Sequence, residues 1–127
     1  MPICHSDYKY HMLVVGNHYT LSNASLSKLD DCGTKVIIKS PQALSARDPH
    51  QLALYDIIFI DYDLQIGELL FNLQKLNSIA TNRPVLVLTS TYRTSTLALA
   101  FKLGFDEFIA KPLRAEEMMA LLKKKQK

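Results

Sequence analysis

Ile57-Ile58-Phe59-Ile60-Asp61 is a run of apolar, mostly β-branched residues that stops at an acid. It is continuous rather than alternating, so a strand made from it must be buried on both faces, as in a parallel sheet covered by helices. Met12-Leu13-Val14-Val15, Val36-Ile37-Ile38 and Val85-Leu86-Val87-Leu88 share that character. A weaker fifth run, Glu107 to Ala110, follows Gly104 and stops at Pro112. Five strands are expected.

Between the runs the apolar spacing turns helical. Leu21, Ala24, Leu26 and Leu29 share one face of a segment from Leu21 to Leu29. Ser40-Pro41 reads as a cap followed by proline at the first helical position, although Pro49 would interrupt that helix. Gly67 to Leu76 repeats Leu69, Leu70, Leu73 and Leu76 at helical intervals. Thr94 to Leu103 carries Leu97, Ala98, Phe101 and Lys102 and ends before Gly104, a C-cap candidate. A last helix begins after Pro112 with Met118, Met119, Leu121 and Leu122. Leu97, Phe101, Met118 and Leu122 are assigned to the core. The order βαβαβαβαβα implies an α/β three-layer sandwich with right-handed crossovers.

Composition narrows the function classes. The chain has 127 residues, 48% hydrophobic and 21% charged, which fits one globular domain over 1–127 and excludes disorder. No run reaches the ~20 apolar residues of a membrane helix, and the N-terminus lacks a signal-peptide core. The net charge of +3 is small, and Lys123, Lys124, Lys125 and Lys127 supply much of it. That cluster reads as a basic helix end, or the start of a linker if the chain is cut from a longer protein, rather than as a nucleic-acid arm. Cys4 and Cys32 lack metal or redox spacing and read as reduced cytosolic thiols. The expected setting is cytoplasmic, with no membrane and no direct nucleic-acid contact.

In such sheets the site lies beyond the carboxyl ends of the strands. Those ends carry Gly16-Asn17-His18, Asp61-Tyr62-Asp63, Thr89-Ser90 and Lys111-Pro112. A carboxylate, a hydroxyl and an ammonium thus converge in Asp61, Thr89 and Lys111. Asp61 has the chemistry of a nucleophile toward phosphorus, Lys111 can neutralise phosphoryl oxygens and Thr89 can donate a hydrogen bond. On residue types alone, a plain Asp61–Lys111 ion pair closing the top of the sheet is the simpler reading.

Ile57 to Asp61, Val85 to Ser90 and Gly104-Phe105-Asp106-Glu107-Phe108-Ile109-Ala110-Lys111-Pro112 resemble the receiver domains of bacterial two-component response regulators. The resemblance spans essentially the whole chain. It implies a flavodoxin-like (βα)5 fold with parallel sheet order 2-1-3-4-5. It makes Asp61 the phosphoacceptor position, Thr89 the switch hydroxyl, Lys111 the phosphate contact and Phe108 the switch aromatic.

The departures from that family carry their own message. Receivers end the first strand with two adjacent acids that hold magnesium, and here Gly16 and Asn17 stand there. Asp61 remains the only acid, with the carbonyl of Asp63 at the third ligand position, so the Mg2+ site is degenerate and metal binding is expected weak or absent. The loop after Asp61, Leu64-Gln65-Ile66-Gly67, looks shortened. Asp61 facing Lys111 leaves a pocket roughly neutral without metal. The expected function is an atypical receiver, or pseudoreceiver, in a two-component phosphorelay, acting through protein contacts and not as an enzyme. The alternative is an active receiver phosphorylated on Asp61 by a histidine kinase, with autocatalytic phosphoacceptor activity at most. Gly16→Asp with Asn17→Asp is expected to restore magnesium binding.

Further candidates are weaker. His18 sits near the pocket mouth without a second histidine at ligand spacing, so no metal site is assigned. Thr20, Ser22, Asn23 and Ser25 could form the hydroxyl-rich phosphate loop of a flavodoxin-like cofactor-binding protein, but only Gly16 would allow close backbone approach. The helix 94–103, the fifth strand and the last helix correspond to the docking face of receivers. Tyr92, Arg93, Lys102, Phe105, Asp106, Glu107, Arg114 and Glu116 supply charge and aromatics there. The partners implied are a histidine kinase, a phosphotransfer protein or an effector domain, and a homodimer is compatible with the same face.

Overall fold

The structure is a computed structural model that describes residues 8–17, 19–42, 52–64, 84–91 and 93–125. Its strands are β1 (Tyr10–Val15), β2 (Thr34–Lys39), β3 (Ile57–Asp61), β4 (Val85–Ser90) and β5 (Glu107–Ala110). The helices with described bounds are α1 (Asn23–Asp31), α2 (Arg93–Lys102) and α3 (Ala115–Lys125). All strand pairs are parallel, in the order β2-β1-β3-β4-β5. Of the helix expected after Ser40, only Pro41 and Gln42 lie among described residues. The helix expected over 67–76, the loop at 65–67, His18, Tyr92 and Cys4 lie outside them.

Each central strand sends alternate side chains to opposite faces, and both faces are dry. Leu13, Val15, Ile58, Ile60, Leu86 and Leu88 join Leu52, Ala100 and Phe105 in one core. Met12, Val14, Ile57, Phe59 and Val87 join Leu21, Leu29, Leu113, Met118 and Leu122 in the other. This two-sided burial is why the sequence runs are continuous instead of alternating. Asp56 and Asp106 stitch the opposite, amino-terminal rim of the sheet. Asp56 Oδ2 accepts from the His11 amide at 2.8 Å, and Asp106 Oδ2 accepts from the Leu86 amide at 2.8 Å.

Helix ends follow local chemistry. The Ser22 hydroxyl caps α1 by accepting from the Ser25 amide at 3.1 Å. Gly104, with φ of 89°, takes the left-handed turn after α2 that a side chain would resist. Glu116 and Glu117 open α3 and lysines 123 to 125 close it, both matching the helix dipole.

Two core assignments are corrected. Leu97 and Phe101 are 37% and 59% exposed, whereas Met118 and Leu122 are fully buried as expected. The stripe of α2 that meets the sheet is the one bearing Ala100. Phe105, expected on the surface, is in the core at 5% exposure, and Glu116 pairs with Lys28 across to α1 at 3.0 Å. Leu122→Ala is accordingly expected to cost about 2–5 kcal/mol in urea unfolding. Phe101→Ala is expected to change stability by less than about 1 kcal/mol.

Candidate functional site

Strand pairing sets the site before any side chain is considered. Asp61 at the end of β3 lies level with Thr89 on β4, and Thr89 lies level with Ile109 on β5. Two residues past Ile109, the chain leaves the sheet at Lys111, whose peptide to Pro112 is cis. Backbone bonds from Tyr62 N to Thr89 O (2.9 Å) and from Lys111 N to Ser90 O (3.1 Å) hold these exits together.

Asp61 is 1% exposed, so its charge must be met inside the protein. Lys111 Nζ lies 2.7 Å from Asp61 Oδ2. The Thr20 hydroxyl donates to the same oxygen at 2.8 Å, and the Asp63 amide donates to Oδ1 at 3.1 Å. The juxtaposition of Asp61 and Lys111 expected from sequence is therefore present.

Asp63 departs from expectation. Its side chain, rather than only its carbonyl, belongs to the site. Oδ1 accepts from the Ser90 hydroxyl at 2.7 Å. Oδ2 accepts from the Thr91 amide at 3.0 Å, from the Thr91 hydroxyl, and from Lys111 Nζ at 3.1 Å. Partial burial works against ionisation, but the hydroxyls of Thr91 and Ser90, the Thr91 amide and Lys111 outweigh it, holding the Asp63 carboxyl well below the usual carboxylate range. Burial likewise opposes the Lys111 charge, and Asp61 and Asp63 overcome it to raise the lysine above its ordinary value. Two carboxylates share one ammonium, so the cluster carries a net charge of −1 rather than the neutrality expected from Asp61 and Lys111 alone.

Gly16 explains Thr20. A Cβ on Gly16 would sit 2.3 Å from Thr20 Oγ1 and 2.8 Å from Thr20 Cβ. Thr20 fills that space, accepts from the Asn17 amide at 3.1 Å and reaches Asp61. Asn17 turns its side-chain oxygen back to the Tyr19 amide at 2.9 Å. Gly16 thus makes its close approach to Thr20, which removes the approach a phosphate loop would need and weakens the cofactor reading. In the sequence Thr20 stands out only as one of several loop hydroxyls, and the signal for its role is a glycine four residues before a threonine at a strand exit.

The Thr89 hydroxyl is buried and has no hydrogen-bond partner among the described residues. Phe108 lies level with Leu88 and is partly buried against the core that contains it. An open cleft of about 460 Å³ beside Lys111 is lined by Tyr19, Thr20, Ser22, Thr91, Lys111, Pro112 and Leu113.

No protein-family model and no curated relative matches the sequence. Solved structures do. The receiver domain of the TMAO respiratory-system response regulator TorR superposes with a TM-score of 0.71 at 20% identity, covering 92% of this chain and 96% of that one. The fold is that of receiver domains. A response regulator from Desulfuromonas acetoxidans gives 0.70 at 23% identity, over 91% and 94% of the two chains. The receiver domain of a sensor histidine kinase from Pseudomonas aeruginosa, which has magnesium coordinated in its active-site cleft, gives 0.63 at 16% identity, over 91% and 95%.

Two outcomes are expected from this geometry. Gly16→Asp should cost about 1–3 kcal/mol by overpacking against Thr20, read as a lowered urea midpoint. Because folding lowers the pKa of Asp63, its contribution is complete above about pH 4 and is lost as pH falls from there toward the lower folded value. Urea midpoints between pH 7 and pH 3 should therefore fall less steeply for Asp63→Asn than for wild type.

Proposed function

We propose that this chain is an atypical receiver-type signalling domain that works through protein contacts, with Asp61 phosphorylated weakly or not at all. The observation carrying the reading is the enclosure of Asp61: one carboxylate oxygen is held by both Lys111 and Thr20. A divalent magnesium ion needs hard oxygen ligands, commonly one or two free carboxylates with waters. Here the end of β1 offers Gly16, closed by Thr20, and Asn17, whose oxygen serves the Tyr19 amide. Asp63 is engaged by Lys111, Ser90 and Thr91. Among the described residues no three His, Cys, Asp or Glu side chains cluster as a metal site. This donor set does not fit magnesium.

Without a cation to balance developing charge, phosphoryl transfer to a buried, ion-paired carboxylate is slow. Signalling would then fall to the surface. Leu97 and Phe101, one helical turn apart on α2, leave apolar area exposed, and α2, β5 and α3 form the face expected to meet a kinase, a phosphotransfer protein, an effector domain or a second copy. A cytoplasmic location belongs to the same reading. Among the described residues no helix is long and apolar enough to cross a membrane.

One observation favours the second reading, an active phosphoacceptor. The Thr89 hydroxyl is buried without a partner among the described residues, one strand away from Asp61, and a hydroxyl in that condition gains by turning toward a new acceptor. There Asp61 would carry the phosphoryl group, Lys111 and Thr89 would contact it, and Phe108 would respond. Intact-mass spectrometry after incubation with a small-molecule phosphodonor and magnesium separates the readings. Little or no adduct is expected on wild type. A predominant adduct on wild type that Asp61→Asn lacks would select the active receiver instead.

A further inference from the structure

Asp63 is held unlike an ordinary surface aspartate. Its two oxygens receive the Ser90 hydroxyl, the Thr91 amide, the Thr91 hydroxyl and the Lys111 ammonium. A cation, two hydroxyls and a backbone N–H converging on one point form the donor set that recognises a tetrahedral oxyanion. The open cleft of about 460 Å³ reaches the same place, since Thr91 and Lys111 stand in its wall.

We propose that this is an oxyanion site filled by the chain's own Asp63, which acts as a tethered competitor that inorganic phosphate or a phosphoryl group must displace. Tethering favours the internal ligand, because a group on a short loop competes at an effective concentration in the millimolar range or above. Charge acts in the same direction. With Asp61 and Asp63 sharing Lys111, an incoming anion meets a net negative cluster. Removing the Asp63 carboxylate withdraws the chain's own acceptor from Ser90, Thr91 and Lys111 and brings the cluster to neutrality, Lys111 remaining opposite Asp61. This inference rests on the reading that the strand-end site lies idle toward phosphate, and it supplies a cause for that idleness separate from the missing acidic pair.

The test is titration of wild type, Asp63→Ala and Asp63→Asn with inorganic phosphate, followed by the amide NMR signals of Ser90 and Thr91 in 15N-labelled protein. Asp63→Asn, nearly isosteric, guards against a folding defect in the alanine variant. Phosphate is expected to bind at least one folded variant ten-fold or more tightly than wild type, and Lys111→Met in that background is expected to abolish the response. Equal affinity in wild type, silence in both folded variants, or a response that survives Lys111→Met as for an adventitious ion only, would each overturn the proposal. The titration needs neither metal nor phosphodonor. A predominant phosphate adduct on wild-type Asp61 would thus count against the proposed function and leave this result separately readable.

Discussion

The Asp61–Lys111 pair is the constraint on which the upper end of the molecule depends. A carboxylate at 1% exposure has lost its water, and the protein must return what water supplied. Lys111 returns the charge at 2.7 Å, while Thr20 and the Asp63 amide return hydrogen bonds. These partners come from three separate chain exits, after β1, β3 and β5. Satisfying one buried charge therefore fixes the relative position of three connections that local sequence leaves free. Removing Lys111 would leave the buried Asp61 carboxylate without its counter-charge, which is the costly way to break such a pair.

The same constraint explains why a threonine and a glycine occur together. Two acids at the end of β1 would add negative charge beside Asp61 and Asp63 and demand a cation. A hydroxyl supplies a donor without charge, but Thr20 reaches Asp61 only by passing through the volume a side chain at position 16 would fill. Glycine there is a packing requirement as much as the loss of an acid. The magnesium-bearing neighbour and this chain share a fold at low identity, and the chemistry at the strand exits is free to differ while the sheet beneath stays the same.

Much of the fold was legible because its signal is local and repeated. Val, Ile and Leu runs buried on both faces leave no alternation, and their order along the chain gives the layers. Asp61 and Lys111 were legible because strand ends are countable positions. Thr20 was not, since its role depends on how a four-residue turn folds back. Asp63 was read for its carbonyl because sequence does not reveal whether a carboxylate on a turn points inward. Leu97 and Phe101 misled for a different reason. In α2 the residue buried against the sheet is Ala100, while Leu97 and Phe101 lie on the exposed side, so hydrophobic spacing selects the wrong face.

The strand-end cluster also bears on how such a domain can transmit anything. Its loops are joined by Thr20–Asp61, Ser90–Asp63, Thr91–Asp63 and the shared lysine, and each bond removes freedom from a segment that would have to move in a switch. A ligand shifts an equilibrium only by its differential affinity for the two arrangements. An exogenous anion at this site must first break bonds the chain already makes to itself, so most of its affinity goes into exchange rather than displacement of the loop. Among the described residues no such internal competitor covers Leu97 and Phe101 on α2, whose apolar area is exposed. Contact there releases water from surface that folding left uncovered, and that gain is available to a partner without first dismantling the ion pairs at the strand ends.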